Sequence, residues 1–245
     1  IQACQMEGSG TWLKCLPYRS LNLCMAPAQY RVALKYRLGI ELFKNSFTCP
    51  MDKCTSTSDI HGDHLVSCKF GGNAVVRHET VKARILQACN YVGINVDRNK
   101  EILDLCQDGT NDRPADVYIR DWGNLGQSLA VDVSIVAFKP LKSVKDMETK
   151  KIKKYEERLR PLNIHFTPFV CNSVGCFGAS TKPLLNKIAT LYAAKTGSTF
   201  SSAVHTLMQQ ISFGAQYQQA NNIILATSTA QFHREDLMVN YSYGL

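Results

Sequence analysis

The sequence predicts a mixed α/β domain, a sheet flanked by helices, led by a small metal-bound knuckle and followed by a helical extension. Three observations predict it. Helical and strand periodicities follow one another through the middle of the chain in the order α, β, β, β, α, β. Four ligand-type residues, Cys49, Cys54, His64 and Cys68, stand in the spacing C-x4-C-x9-H-x3-C. Two apolar, strand-like runs each carry one aspartate, Asp116 and Asp132. At 245 residues and 45% apolar, the chain can bury a proper core, which argues against a disordered protein.

The elements follow in order. In "APAQYRVALKYRLGIELF", Tyr30, Ala33, Leu34, Leu38 and Leu42 recur at helical spacing, with Arg31, Lys35 and Arg37 off that face, so a helix leads into the knuckle. Cysteine and histidine then come as two close pairs around a Ser/Thr/Asp-rich loop that opens with Pro50. Tetrahedral zinc takes four nitrogen or sulfur ligands supplied in such pairs. His61 competes with His64 for the histidine position; the three-residue gap from His64 to Cys68 suits a helical turn. Either way the ion is a staple and not a catalyst. "GGNAVVRHETVKARILQACNYVG" predicts the next helix, with Val76, Thr80, Ala83, Ile85, Leu86 and Cys89 marking its amphipathic pattern. "INVDRNKEILDLC" predicts a strand, and the Asp116 and Asp132 strands come next, joined by a Gly-containing turn. The basic stretch "KPLKSVKDMETKKIKKYEERLRPL" predicts a helix from about Val144 until Pro161 ends it. "NIHFTPFVCNSVGCFG" is a further strand running into a Gly-rich turn, and the chain from Lys182 onward is helix-rich with Ser/Thr and Gln/Asn patches. These elements divide into a helical linker (1–45), the knuckle (46–70), a core (71–185) and a helical extension (186–245).

Composition narrows the partners. A formal charge of +8 and a pI near 9.0 suit a polyanion, because clustered Lys and Arg release counterions from phosphates. No apolar run approaches the roughly 18 residues of a membrane span, and no signal-peptide pattern opens the chain, so a cytosolic or nuclear protein is expected. The first residue, Ile1, stands in unpunctuated sequence, as in a segment of a longer polypeptide. The ten cysteines are expected to be reduced, with Cys4, Cys15, Cys24, Cys89, Cys106, Cys171 and Cys176 as core thiols.

The strand acids carry the chemistry. Asp116 is followed by Val117, Tyr118 and Ile119, and Asp132 lies among Ala130, Val131, Val133, Ile135 and Val136. A carboxylate in such a place needs a partner, or it takes up a proton. One solution is structural: Asp116 pairs with Arg113 or Arg120, and Asp132 with a lysine. The other is catalytic. Glu101, Asp116, Asp132 and a lysine of the basic helix converge at one sheet edge, where carboxylates hold a hard cation such as Mg²⁺ and the lysine orients water or stabilises charge during phosphodiester hydrolysis.

The ordered series made by the knuckle, "RH" opening a helix, R-P-x-D, V-D-V and K-x-x-K-Y resembles the restriction-like endonuclease region of R2-like non-LTR retrotransposon polyproteins, within the PD-(D/E)XK nuclease superfamily. The matching pieces are Cys49, Cys54, His64 and Cys68; Arg77 and His78; Arg113, Pro114 and Asp116; Asp132; and Lys151, Lys154 and Tyr155, over roughly residues 28–180. The "YRVALKYRLG" helix resembles the segment joining such a domain to the upstream reverse transcriptase. The resemblance implies a PD-(D/E)XK sheet and a nuclear, Mg²⁺- or Mn²⁺-dependent endonuclease that nicks double-stranded target DNA. The 3′-hydroxyl of the nick would prime reverse transcription by a polymerase of the same polyprotein, with the element's RNA as a second partner. It makes Asp116 and Asp132 metal ligands, with Glu79 as a candidate third that is otherwise a helix-start charge, and Glu101 a candidate first-strand acid. Lys151 or Lys154 enters the site with Tyr155 beside it, while Arg77, His78, Arg113, Lys150 and Lys153 meet the nucleic acid. Two departures stand out: Ala115 separates Pro114 from Asp116, and Ser134 occupies the position two after the second acid where the superfamily commonly has lysine. Two other classes remain: a zinc-knuckle nucleic-acid-binding module, and a catalytically inactive domesticated relic.

Overall fold

The computed structural model describes residues 8–98, 114–123, 126–137 and 141–229. Glu101 and Arg113 lie outside the described residues, as do Cys4 and Cys106.

Helix α1 (Pro27–Leu38) starts on a proline, whose missing N–H costs nothing there, and stops at Gly39 in the left-handed region. A two-stranded ribbon, β1 (Phe47–Thr48) against β2 (Thr57–Ser58), and the short α2 (Asp63–Ser67) carry the Cys/His residues. Helix α3 (Asn73–Tyr91) follows Gly71 and Gly72, whose φ of 73° and 74° lie in the left-handed region that favours glycine. Then come β3 (Val96–Arg98), β4 (Val117–Ile119), β5 (Ser128–Val136), α4 (Leu141–Leu159) and β6 (Ile164–Asn172). The sheet runs β3-β4-β5-β6, antiparallel at its first two pairings and parallel between β5 and β6, with α4 as the crossover. The structure is thus mixed α/β, a four-stranded mixed sheet flanked by helices with a Cys/His cluster toward the N-terminus.

The strands bury both faces. Val117, Ile119, Leu129, Val131 and Val133 point into the main core with Val81, Ile85 and Leu86 of α3 and residues of α5 (Lys182–Thr196) and α6 (Phe200–Thr229). On the other face Ala130 meets Tyr155 and Leu159 of α4.

Helix α6, about 45 Å long at ~1.5 Å per residue, joins two cores. Its first half sets Ala203, Leu207, Ile211 and Ala215 in the sheet core. Phe213, Ala220, Ile223 and Ala226 enter a second core with Trp12, Val32, Leu42, Phe43, Leu65 and the three knuckle cysteines. Residues of the linker, the knuckle and the end of α6 thus share one core. The Gln/Asn patches of this helix are buried ties, with Gln216 Nε2 donating to the Ser173 carbonyl at 2.8 Å and Asn222 Nδ2 to the Asn73 carbonyl at 2.9 Å. None of the described helices is long and apolar enough to cross a membrane.

Candidate active site and metal centre

The knuckle ligands converge. Cys49 follows β1, Cys54 sits in the loop to β2, His64 is on α2 and Cys68 just follows it. Their ligand atoms all lie within 4.8 Å of one another. Cys49 Sγ is 3.8 Å from Cys68 Sγ, Cys68 Sγ is 3.7 Å from Cys54 Sγ, and Cys54 Sγ is 3.4 Å from His64 Nε2. A tetrahedral ion with Zn–S bonds of ~2.3 Å holds its sulfurs roughly 3.8 Å apart, so three thiols and one imidazole stand at a spacing that could hold zinc. Asp59 shapes the corner by accepting the amide hydrogens of His61, Asp63 and His64 at 2.9, 3.1 and 2.9 Å. That settles the choice between histidines: His61 contributes its amide to this turn, and His64 its ring to the cluster. Zinc bound to the purified chain is expected to survive His61→Ala and to be lost in His64→Ala, read by elemental analysis of the dialysed proteins.

The other cysteines divide. Cys89, Cys171 and Cys176 are buried, whereas Cys15 and Cys24 are only partly so, because the N-terminal segment lies on the surface of the helices; these two are not core thiols.

The second cluster lies where β4 and β5 part. The register pairs Val117 with Val131, and the Asp116 amide donates to the Val131 carbonyl at 2.9 Å, so Asp116 stands opposite Asp132 on one face. Beyond that point β4 leaves β5, and the Val133 amide finds the Asp116 carboxylate instead, at 2.7 Å. His78 Nε2 lies 3.0 Å from the same carboxylate, reaching it from α3. Burial pushes Asp116 upward, but the His78 imidazole, the Val133 amide and Asp132 outweigh it, and its pKa falls below the usual value. Asp132, 6% exposed, behaves oppositely: burial raises it to about 6, Lys151 opposing and Asp116 adding to the rise. Two carboxylates in one site are thus split, Asp116 held below and Asp132 above the usual carboxylate range. Lys151 Nζ, from the middle of α4, lies 2.5 Å from Asp132 Oδ2.

Other expected site residues fall elsewhere. Lys154 is solvent-exposed with its ammonium 4.9 Å from the Tyr155 ring centroid, so of the two lysines it is Lys151 that reaches the acids. Tyr155 is buried among Ala115, Ala130, Leu159 and Ile164, its ring 5.2 Å from that of Phe166, so it packs beneath the sheet and the structure gives it no contact with the acids. Arg77 is not a nucleic-acid contact. At 4% exposure it donates to the Val66 carbonyl at 2.9 Å, locking α3 to α2. His78 sits on Asp116 and touches Glu79 through Nδ1 at 3.3 Å. Glu79 pairs with Lys82 at 2.6 Å, so the imidazole stands between it and Asp116, and Glu79 does not join the two aspartates. Arg120, offered by sequence as a partner for Asp116, pairs with Asp97 at 2.8 Å. Lys150 and Lys153 face solvent on α4 beside Lys151.

Sequence reasoning missed two groups. His78 looked like a phosphate contact, and nothing in its surroundings along the chain announces a carboxylate 38 positions later. Glu148, buried on α4, accepts the Ser180 amide at 2.8 Å and fixes the turn ahead of α5; only its lone position on the apolar stripe of α4 could have signalled it.

No protein-family model matches the chain, and no curated protein matches it.

Proposed function

We propose that the chain is a metal-dependent DNA endonuclease of the PD-(D/E)XK kind. The single observation that carries the reading is the trio of Asp116, Asp132 and Lys151 at the parting of β4 and β5, with Lys151 Nζ 2.5 Å from Asp132. The order α3-β3-β4-β5-α4-β6, antiparallel and then parallel across an α-helical crossover, is consistent with such a core. The lysine that the superfamily commonly carries two positions after the second acid is replaced here by one from α4, in keeping with Ser134 at that position.

In this reading Asp116 and Asp132 present oxygens to Mg²⁺ or Mn²⁺, a donor set such hard cations prefer. The cation, when bound, supplies Lewis acidity to the scissile phosphate and acidifies a water. Asp132, ionised above about pH 6, would share its carboxylate between the cation and Lys151, and Lys151 would orient the attacking water or neutralise charge on the phosphate. His78 holds the Asp116 carboxylate in place from α3. Lys150 and Lys153 on the exposed side of α4 meet backbone phosphates of double-stranded DNA. The resemblance extends the proposal to a nuclear role: a nick whose 3′-hydroxyl primes reverse transcription by a polymerase of the same polyprotein, with element RNA as a further partner. One observation favours a second reading. Both aspartates already have protein partners, as they would in an inactive relic or a zinc-knuckle binding module.

Conversion of supercoiled plasmid to nicked circle separates the two. Nicking is expected with Mg²⁺ or Mn²⁺, to stop with EDTA, and to fall on the order of 100-fold or more in Asp132→Ala. DNA retention on a gel is expected to be unchanged or tighter in the variant, since a negative charge leaves the groove. Equal background in wild type and variant, with DNA binding indifferent to Mg²⁺, sinks the nuclease and leaves the binder.

A further inference from the structure

A second concave site lies on the face of α3 turned away from His78. It is a cavity of about 390 Å³ between α3, α5, α6 and the N-terminal segment, within the ~300–1,000 Å³ of ordinary ligand sites. The residues that decide its chemistry are Arg84, Gln87, Tyr91, Tyr192, Leu207 and Gln210. Leu207 makes its base apolar. The rings of Tyr91 and Tyr192, with centroids 5.3 Å apart and planes 39° apart, form an aromatic wall. Lys195 Nζ stands 4.5 Å over the Tyr91 ring at the rim. Arg84 is pinned in the opposite wall, donating to the carbonyls of Leu21 at 3.0 Å and Asn22 at 2.8 Å. No carboxylate stands among the described residues that line the cavity.

The geometry points to a nucleobase-binding cavity, one that takes a heteroaromatic ring carrying phosphate, independent of the two aspartates. Each part of the wall matches one part of such a ligand. Aromatic side chains stack on any base because every base has a π-face. A primary amide offers a donor and an acceptor side by side, which is what the edge of a base demands, and both Gln87 and Gln210 bring one to the cavity. Gln87 accepts from Arg84 at 3.4 Å, whereas the Gln210 amide has no hydrogen-bond partner among the described residues. Arg84 in one wall and Lys195 at the rim of the other, where it also donates to the Tyr91 carbonyl, bring positive charge that favours a phosphate. A purely apolar ligand would leave the Gln210 amide unmatched at a desolvation cost. The same chemistry arrives from two sources, a free nucleotide or an unstacked nucleotide of a strand.

The test uses the full chain and three probes. AMP is titrated by calorimetry, ribose 5-phosphate serves as the base-free control, and a single-stranded oligodeoxynucleotide with one 2-aminopurine is followed by fluorescence. Gln210→Leu and Lys195→Ala are the variants, each checked for unchanged circular dichroism; Lys195 is exposed, so its loss leaves the core intact. Saturable AMP binding, at least about tenfold weaker in Gln210→Leu and absent for ribose 5-phosphate, supports the cavity with a free nucleotide as source. A change in 2-aminopurine fluorescence that is lost in Gln210→Leu, without measurable AMP binding, supports it with a strand as source. Neither signal, equal binding of ribose 5-phosphate and AMP, or variants indistinguishable from wild type overturns it. Asp132→Ala is expected to bind both probes as wild type does, so failure of the nicking assay and failure of the cavity are read apart.

Discussion

Replacing Cys68 with serine is expected to abolish zinc binding at the Cys/His cluster and to melt the N-terminal core while the sheet core outlives it. Cys68 Sγ touches both other sulfurs of the cluster, at 3.8 Å and 3.7 Å, so its loss breaks the ligand set at its centre. The strands it ties together are only two residues long, and α2 only five. Elements so short cannot hold themselves, since a lone hairpin is marginal in water and an isolated helix needs a dozen residues or more. Cys49, Cys54 and Cys68 are also buried in the core that contains Trp12, Leu42, Phe43 and the second half of α6. Zinc binding and folding of this core are therefore expected to be coupled. Structural zinc is worth roughly 10–16 kcal/mol in small finger peptides, of the same order as the ~5–15 kcal/mol net stability of a whole domain. Hydrogen exchange localises the effect: amides of α1, α2 and the last turns of α6 should lose protection in Cys68→Ser, and in wild type treated with a strong chelator, while those of β5 and β6 keep theirs. Unchanged protection across the knuckle in the zinc-free protein would remove the ion from the account of this fold.

How far the chain announced itself depended on the range of each interaction. Periodicity is local, and it predicted α1, α3, α4 and the order of the strands. The Cys/His spacing is local too, because pairs of ligands three to five positions apart must lie near each other, and the cluster forms from the residues it named. The two aspartates were legible as a pair since each stands in a short apolar run, and antiparallel register does the rest. What sequence did not show was direction. Arg77 and His78 are neighbours on α3, about 100° apart around the helix; one turns into the interior toward Val66, the other toward Asp116, and neither is aimed at DNA in the way adjacent cations suggest. Lys151, Lys154 and Tyr155 share a helical face loosely, yet only Lys151 points at the acids, because Tyr155 is taken by Phe166 and Lys154 lies beyond it. The last stretch was legible as helical, but its packing was not, for a different reason. Its buried side chains are largely Ala, Gln, Asn and Ser, small or polar groups that a hydrophobic pattern passes over, and the carbonyls they satisfy belong to Asn73 and Ser173, far away along the chain.

Asp132→Asn is expected to make the metal-free protein more stable at pH 8, which tells a site held for function from an ion pair held for the fold. Asp132 is pushed up to about 6 in the folded chain against an ordinary value of 3.8, burial being the largest cause. Between those values the folded chain keeps a proton that the unfolded chain has lost. Stability contributed by this group therefore falls as pH rises through about 4 to 6, and above that window the ionised carboxylate is a net cost. The gap corresponds to about 3 kcal/mol. Asp116 works the other way: its pKa is depressed, so its contribution is present above the usual carboxylate range and fades as pH drops through its folded value. Asparagine keeps the shape of the neutral acid, and the freed Lys151, 19% exposed, can turn its ammonium toward water. Urea denaturation in EDTA should show Asp132→Asn gaining on the order of 1–3 kcal/mol at pH 8 and nothing near pH 4. A structural Lys151–Asp132 bridge predicts the opposite sign, a loss at pH 8, because breaking a stabilising buried pair leaves a cation without its partner. Adding Mg²⁺ completes the argument. An ion that binds only the folded state must stabilise it, so wild type should rise with Mg²⁺ and the variant should not, and the cost the metal-free chain carries at Asp132 is then the charge it holds ready for the cation.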